Sequence, residues 1–165
     1  MKALFSILIP ILCLLMVSAC KESSVDTDTP KTEQIARMKA AFGSLDGTEW
    51  LLKDYATHPL LTNLKNTASL KFVKQSDNSY QLTGRSFVNL YGGEFSLDEE
   101  KGLIVKKDHL MTTEMAGPSD NMKAEDTYYR NLYNASFYEM RGNELWLYIG
   151  QNTDPAEEVM YFVKK

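Results

Sequence analysis

The sequence predicts an α+β fold in which an antiparallel meander of strands packs one helix, with a short N-terminal helix before the sheet. Several extended runs alternate apolar and polar residues with the period of half-buried strands, and turn residues separate these runs. Between residues 118 and 133 the apolar residues instead recur at helical spacing, after which hairpins resume. The 165 residues are enough for one domain with one sizeable core.

A short amphipathic helix is predicted over residues 33–43. Ile35, Met38 and Phe42 recur at helical spacing, and Gly43 is expected to end the helix. Such a helix fits a membrane surface or a partner protein. The simpler interpretation, which we prefer, is that its apolar residues dock onto the domain that follows.

The meander is predicted to begin with a turn at Asp46 and Gly47, followed by a strand that contains Trp50. Residues 75–78 and 98–102 have turn chemistry, so each is expected to join two alternating runs. The further strands expected on this basis cover residues 68–73, 79–84, 93–97 and 103–107.

Residues 82–95 are predicted to form the central corner of the meander, as a strand, a sharp turn and a strand. Gly84, Gly92 and Gly93 permit backbone angles or close approaches that other residues resist, and Asn89 can bond the local backbone. No catalytic group is obvious among these positions. We therefore interpret them as structural.

A helix of about three turns is predicted after the meander. Residues 118–120 offer an N-terminal cap, and the side expected to be buried carries Met122, Tyr129 and either Leu132 or Tyr133.

The last strands are expected at residues 136–141, 144–149 and 159–163, with a two-residue turn at Gly142 and Asn143. The middle strand of this set has apolar or aromatic residues on both faces. It is therefore predicted to be covered by the core on one side and by a helix on the other.

The N-terminus has the pattern of a secretory signal segment over residues 1–19. Lys2 supplies the positive charge, and the apolar run that follows is interrupted by Pro10 and is shorter than the ~20 residues of a permanent membrane helix. The run ends in small residues before Cys20, which resembles the lipobox of bacterial lipoproteins, where the cysteine thiol receives a diacylglycerol. The alternative is an ordinary signal peptide cut near a chance cysteine.

The lipobox resemblance implies that acyl chains such as palmitate on Cys20 anchor the protein to the membrane of the bacterial cell envelope. By the sorting rules of such lipoproteins, Lys21 favours the outer membrane. The pair Lys21 and Glu22 also faintly resembles a surface-export signal, so the periplasmic and surface-exposed sides both stay open. Residues 20–32 are polar and predict a flexible tether, which leaves residues 44–165 for the domain.

Charge and cysteine content exclude several classes of function. Residues 20–165 carry 17 basic and 22 acidic side chains, a net charge of −5, without the clustered Lys and Arg that nucleic-acid binding needs. Cys13 and Cys20 are the only cysteines, so the domain can form no internal disulfide, thiolate metal site or cysteine nucleophile. We predict no nucleic-acid partner and no cofactor.

The order of these elements and five motifs within residues 45–163 resemble the META domain, a family typified by a bacterial heat-inducible envelope protein. One difference is Gly117, where many members carry a cysteine. The matching motifs lie within residues 45–50, 82–93, 112–116, 125–132 and 143–147. The family positions that we carry over, all interpreted as structural, are Gly47, Trp50, Gly84, Asn89, Tyr91, Gly92, Gly93, Thr113 and Met115.

The resemblance implies an antiparallel, partly open barrel-like sheet with one packed helix. It also implies no enzymatic activity and a general link to envelope stress, drug tolerance, motility or secretion. The leading hypothesis is a lipid-anchored, non-enzymatic envelope protein that binds an unknown envelope protein or supports the envelope under stress. The alternative is a carrier or sensor of a small hydrophobic ligand, bound in the open end of the sheet beside the helix.

Few residues are candidates for chemistry. His58 and His109 lack zinc-ligand spacing, and a hydrolase built on His109 with Ser119 and Asp120 is the least favoured hypothesis. The carboxylates of residues 98–100 are interpreted as a solvated turn, because they lack the ligand spacing of a calcium loop. We predict no catalytic residue and no metal site.

Aromatic residues supply the binding candidates. Tyrosines together with Trp146 would suit an apolar cleft, but aromatic rings are also the common core filling of small β domains, and we prefer that interpretation. The tyrosines in question are Tyr91, Tyr128, Tyr129 and Tyr133. As a tentative ligand or partner surface we retain Arg85, Tyr129 and Trp146.

Overall fold

The predicted α+β architecture is present in a computed structural model of the chain, which describes residues 31–76, 79–98, 101–150 and 157–165. The signal segment, Cys20 and most of the tether lie outside the described residues, as do Glu99 and Glu100 of the acidic turn.

Within these described residues the sheet contains nine strands, and every pair of neighbouring strands is antiparallel. The strands are β1 (Glu49–Tyr55), β2 (Ser69–Ser76), β3 (Ser79–Arg85), β4 (Leu90–Asp98), β5 (Gly102–Val105), β6 (Met111–Thr112), β7 (Ala135–Arg141), β8 (Glu144–Ile149) and β9 (Glu158–Lys164). Their order is β5-β4-β3-β2-β1-β9-β8-β7, and β6 pairs with β4 beyond the end of β5. The sheet curls into a nearly closed barrel with one unsealed seam, and β5 and β7 are the two ends of the strand order.

Helix α1 (Lys31–Leu45) precedes the sheet, as predicted, and docks on the barrel interior. The hydroxyl of Tyr138 on β7 donates a hydrogen bond to the Met38 carbonyl oxygen at 2.7 Å. The expectation that Gly43 ends the helix is wrong. The helix continues because Leu45 is fully buried and extends the apolar face by another position. The side chains that α1 buries are Ile35, Met38, Phe42 and Leu45.

Helix α2 (Ser119–Tyr133) lies at the predicted place, but its buried side differs from the prediction. Of the residues expected there, Leu132 is buried, while Met122, Tyr129 and Tyr133 are only half-buried. Pro118 occupies the N-cap position and makes no side-chain capping hydrogen bond. The buried residues of α2 are Glu125, Tyr128, Asn131 and Leu132. Among the residues described, no helix combines the length and the hydropathy needed to cross a bilayer.

Aromatic rings pack the barrel interior. Phe42 of α1 meets Tyr80 of β3 edge to face, with ring centroids 5.0 Å apart. Trp50 is fully buried, and its indole N–H donates to the Thr48 hydroxyl at 2.8 Å. The helix and the strands therefore share one continuous core.

The outer face of β8 differs from the prediction that a helix covers it. Trp146 and Tyr148 remain half-exposed, and the rings that shield them belong to neighbouring strands. Trp146 contacts Tyr161 with ring centroids 4.8 Å apart, and Tyr148 contacts Phe137 at 5.6 Å. Apolar residues on both faces of this strand reflect lateral ring packing within the sheet, so the prediction of a covering helix is wrong.

Candidate functional site

The turn between β3 and β4 is buried, although it carries polar groups. Ser86 and Asn89, at its two ends, are almost inaccessible to solvent. The Ser86 N–H donates to the Asn89 carbonyl oxygen at 2.7 Å, which closes the turn. The remaining polar groups of the turn need partners, because an unpaired buried donor is costly.

Glu125 of α2 supplies those partners. Its Oε2 accepts hydrogen bonds from the Ser86 hydroxyl, from the Val88 N–H at 3.1 Å and from the Asn89 N–H at 2.9 Å. Its Oε1 accepts the Asn89 side-chain amide at 2.7 Å. One carboxylate on the helix therefore satisfies most of the donors of the turn.

Glu125 is charged, although it is buried. Desolvation opposes the carboxylate, but the hydrogen bonds from Ser86, Asn89 and Val88 outweigh it and hold the pKa of Glu125 below its ordinary value. All of these donors are neutral. Neutral, oriented hydrogen-bond donors therefore stabilise the buried carboxylate. Its stabilisation depends on the geometry of the turn, which positions these donors.

Asn89 joins Glu125 to a third segment of the chain. Its Oδ1 accepts the Thr113 hydroxyl at 2.8 Å and the Met115 N–H at 2.7 Å. Its amide nitrogen, which also donates to Glu125, donates to the Met115 carbonyl oxygen at 3.3 Å. We call Ser86, Asn89 and Glu125 the glutamate cluster.

The segment that the glutamate cluster holds is itself exposed. We call residues 111–116 together with Leu90 the methionine edge. Met111 is 77% exposed, Met115 55% and Leu90 58%. Met111 lies opposite Gly92 in the pairing of β6 with β4, so its strand partner has no side chain to cover it. The buried glutamate cluster thus fixes the position of a segment whose apolar side chains are exposed to solvent.

The methionine edge also presents free backbone. The N–H of Thr113 donates to the Leu90 carbonyl oxygen at 3.0 Å, and that of Met115 points to the glutamate cluster. Successive N–H groups of an extended segment point to opposite sides. The N–H of Thr112 in β6 therefore points away from β4, and that of Glu114 follows between the inward N–H groups of Thr113 and Met115. Within the part of the chain that the structure describes, the outer side of this segment has the character of an unpaired edge strand.

Buried tyrosines extend the polar network beneath the turn. The hydroxyls of Tyr91 and Tyr128 lie 2.5 Å apart, and that of Tyr91 donates to the Ser69 carbonyl oxygen at 2.9 Å. Tyr129 donates to the Ser86 hydroxyl at 3.1 Å, and burial raises the pKa of Tyr129 to about 12. Burial also raises the pKa values of Tyr91 and Tyr128 well above the ordinary value, so these phenols stay protonated at neutral pH. The preferred interpretation of these tyrosines as core residues is confirmed for Tyr91 and Tyr128.

Most of the carried-over family positions surround the glutamate cluster, but two do not. Gly47 and Trp50 lie where α1 meets the sheet, and the Gly47 N–H donates to the Phe72 carbonyl oxygen at 2.9 Å. The positions that lie in the cluster, in the methionine edge or in β3 and β4 beside them are Gly84, Asn89, Tyr91, Gly92, Gly93, Thr113 and Met115.

Of the three residues of the tentative binding surface, Arg85 and Tyr129 lie at the turn that follows β3, whereas Trp146 lies on another part of the sheet. Arg85 is exposed at the end of β3 and pairs in register with Leu90 of the methionine edge, whereas Tyr129 is half-buried against Ser86. Trp146 lies on β8, three intervening strands away from β3, under the Arg141 guanidinium at 3.7 Å from the ring centroid.

The histidines have acidic partners. His109 Nδ1 lies 3.4 Å from a Glu94 carboxylate oxygen, and His58 Nδ1 lies 3.0 Å from Glu158. Within residues 31–76, 79–98, 101–150 and 157–165, no group of three or more His, Cys, Asp or Glu side chains is arranged to hold a metal ion.

Sequence reasoning missed Ser86 and the role of Glu125. A signal was present, because Glu125, Tyr128 and Leu132 recur at helical spacing and define the buried stripe of α2. An acidic residue in that stripe indicates a buried acceptor when the facing turn is rich in donors.

Comparison with known proteins identifies relatives of this fold. The family model of the META domain matches residues 43–162. The chain is similar to the NMR structure of a protein from Burkholderia xenovorans, with 21% identity, a TM-score of 0.56, and coverage of 76% of this chain and 87% of that one. A second NMR structure has 17% identity, a TM-score of 0.51, and coverage of 73% and 92%.

A DUF4847 family protein from Bacteroides vulgatus is a more distant match, with 13% identity, a TM-score of 0.47, and coverage of 72% of this chain and 93% of that one. Comparison with curated protein sequences finds no match.

Proposed function

The chain belongs to the META domain family, and from that premise we propose that it is a lipid-anchored, non-enzymatic envelope protein that binds a protein partner at its methionine edge. The partner contributes an extended peptide segment that pairs with residues 111–116 as an added strand. The observation that carries the proposal is this exposed, apolar edge, held in place by a buried carboxylate.

Strand addition fits the edge in both its backbone and its side chains. The outward N–H groups of Thr112 and Glu114 would supply main-chain hydrogen bonds, which give such complexes their affinity. Met111 and Met115 flank them, and flexible thioether side chains adapt to partners of different shape. The added segment would therefore carry apolar residues opposite the methionines.

The edge is also pre-organised, which lowers the entropic cost of binding. Asn89 fixes both backbone groups of Met115, and Thr113 is held by Leu90 and Asn89. A segment already in its bound conformation loses little freedom when a partner adds to it.

A photo-crosslinking amino acid at Thr112 in living cells is expected to yield one reproducible adduct with an envelope protein, since this position faces the added strand. Leu61 is the matched control position, because it is exposed, as Thr112 is, but lies outside the edge. Adducts of equal yield at both positions, or none at Thr112, would contradict docking at the edge.

Proline substitutions distinguish the role of the outward N–H groups of the edge from that of the inward ones. Glu114→Pro is expected to abolish the Thr112 adduct with little loss of stability, because it removes only an outward N–H. Met115→Pro removes the N–H that Asn89 accepts, and is expected to destabilise the protein by about 1–3 kcal/mol in urea unfolding. An undiminished adduct in Glu114→Pro would rule out strand addition.

The lipid anchor is tested by fractionation. Cys20→Ala is expected to move the protein from the membrane fraction to the soluble fraction without unfolding it, because the thiol is the proposed site of acylation. Cys13→Ala, within the apolar run, is the control and is expected to stay membrane-bound. Membrane attachment of the Cys20→Ala protein would refute the anchor.

Carriage of a small hydrophobic molecule stays the alternative function. It would need space between the sheet and the helix, and there Tyr91 of β4 and Tyr128 of α2 are already hydrogen-bonded to each other. A supportive role under envelope stress is compatible with either function.

A further inference from the structure

We propose that Met111 and Met115 form a reversible oxidation site that controls docking at the methionine edge. The control of docking rests on the proposed function, whereas the oxidation of the two methionines does not. The oxidants are two-electron oxidants such as hydrogen peroxide or hypochlorous acid. No other pair of described methionines combines exposure with a place in one surface.

The exposure of the described methionines falls into three groups. Met111 and Met115 are 77% and 55% exposed, Met122 and Met140 are half-buried, and Met38 and Met160 are 2% and 0% exposed. Oxidation of a thioether requires that the oxidant reach the sulfur atom, so the most accessible methionines are expected to oxidise first. The buried Met38 and Met160 therefore serve as internal standards for the oxidation rates of the exposed pair.

The local structure keeps both sulfur atoms within reach of solvent. Met111 faces Gly92, which has no side chain to shield it, and the backbone of Met115 is held by Asn89 from below. Oxidation should therefore leave the barrel intact, because neither side chain belongs to the core.

The reaction balances without a cofactor. The thioether sulfur loses two electrons and gains one oxygen atom, while the O–O bond of peroxide breaks and its other oxygen leaves as water. Methionine sulfoxide reductases reverse the step, with the sulfoxide oxygen released as water and two thiols oxidised to a disulfide. The sulfoxide is polar, so the edge loses the apolar contacts that an added strand would use.

In the test, cells that contain the full chain are treated with increasing concentrations of hydrogen peroxide. Methionine oxidation is then measured by peptide mass spectrometry, and docking is measured by photo-crosslinking from Thr112. Met111 and Met115 are expected to oxidise about tenfold or more faster than Met38 and Met160, and the adduct yield is expected to fall in parallel. Treatment of the purified protein with methionine sulfoxide reductase should return both residues to the thioether.

The double variant Met111→Leu with Met115→Leu is the matched control, since leucine is apolar but cannot be oxidised. Its ratio of adduct yields with and without peroxide is expected to stay near one, whatever its untreated yield. Similar oxidation rates for exposed and buried methionines would overturn the site, and an unchanged adduct after full oxidation would overturn its control of docking. A missing adduct in untreated cells would count against the proposed function, while the oxidation rates would still decide the site.

Discussion

Replacement of Glu125 by alanine is expected to lower the free energy of unfolding by on the order of 3–5 kcal/mol. The substitution removes the acceptor of four donors, which belong to Ser86, Val88 and Asn89. Ser86 and Asn89 are buried, so water cannot readily take the place of the carboxylate. Urea unfolding followed by tryptophan fluorescence would measure the loss.

Asp126→Ala is the matched control for this prediction. It removes the same charge from the neighbouring position of α2, but Asp126 is exposed, so a change of no more than about 0.5 kcal/mol is expected. Glu125→Gln should fall between the two, because its amide group places donors opposite the donors of the turn. Equal stability of the Glu125→Ala and Asp126→Ala proteins would show that the glutamate cluster does not stabilise the fold.

The same residue makes stability depend on pH. The pKa of Glu125 is lower in the folded protein than its ordinary value of 4.5, because hydrogen bonds to the carboxylate outweigh desolvation. Its stabilising contribution is therefore complete above pH 4.5 and is lost as the pH falls through the folded pKa. Other carboxylates with lowered pKa values act in the same direction, so the expected result is a shallower acid loss in Glu125→Gln than in the unmodified protein.

The strands were predictable from the sequence because local chemistry determines them. Two of the runs with period-two alternation became β2 and β3, and the turn at Gly142 and Asn143 joins β7 to β8 as expected. In these segments the side-chain pattern and the turn residues favour the same structure. Family resemblance supplied the closure of the sheet into a barrel, which local patterns do not determine.

The candidate site was not predictable in the same way. Glu125, Asn89 and Met115 come from three separate segments, and their contacts depend on how α2 crosses the turn. A carboxylate in a helix normally indicates a solvent-facing position, and here the donors of a distant turn reverse that preference. The exposure of Met111 depends equally on the register that places it opposite Gly92.

The second large effect is expected for Gly84→Ala, which should cost about 3 kcal/mol or more. A Cβ at this position would overlap the Ser69 carbonyl oxygen of β2 and lie 2.7 Å from the Tyr91 hydroxyl oxygen. The first of these atoms belongs to the backbone of a paired strand and cannot rotate away. The added carbon also crowds the Tyr91 hydroxyl, whose bonds to Ser69 and Tyr128 support the floor of the turn.

Gly92→Ala provides the comparison within the same sheet. Its Cβ would lie 3.8 Å from the nearest heavy atom, a methyl carbon of Thr83, which is ordinary van der Waals contact. A small change in stability is therefore expected there, while Gly84→Ala should lower the urea midpoint and also diminish the Thr112 adduct. Equal midpoints for the two variants would mean that β2 and β3 can separate at Gly84 at little cost, and that the close approach at Gly84 is not a constraint on the fold.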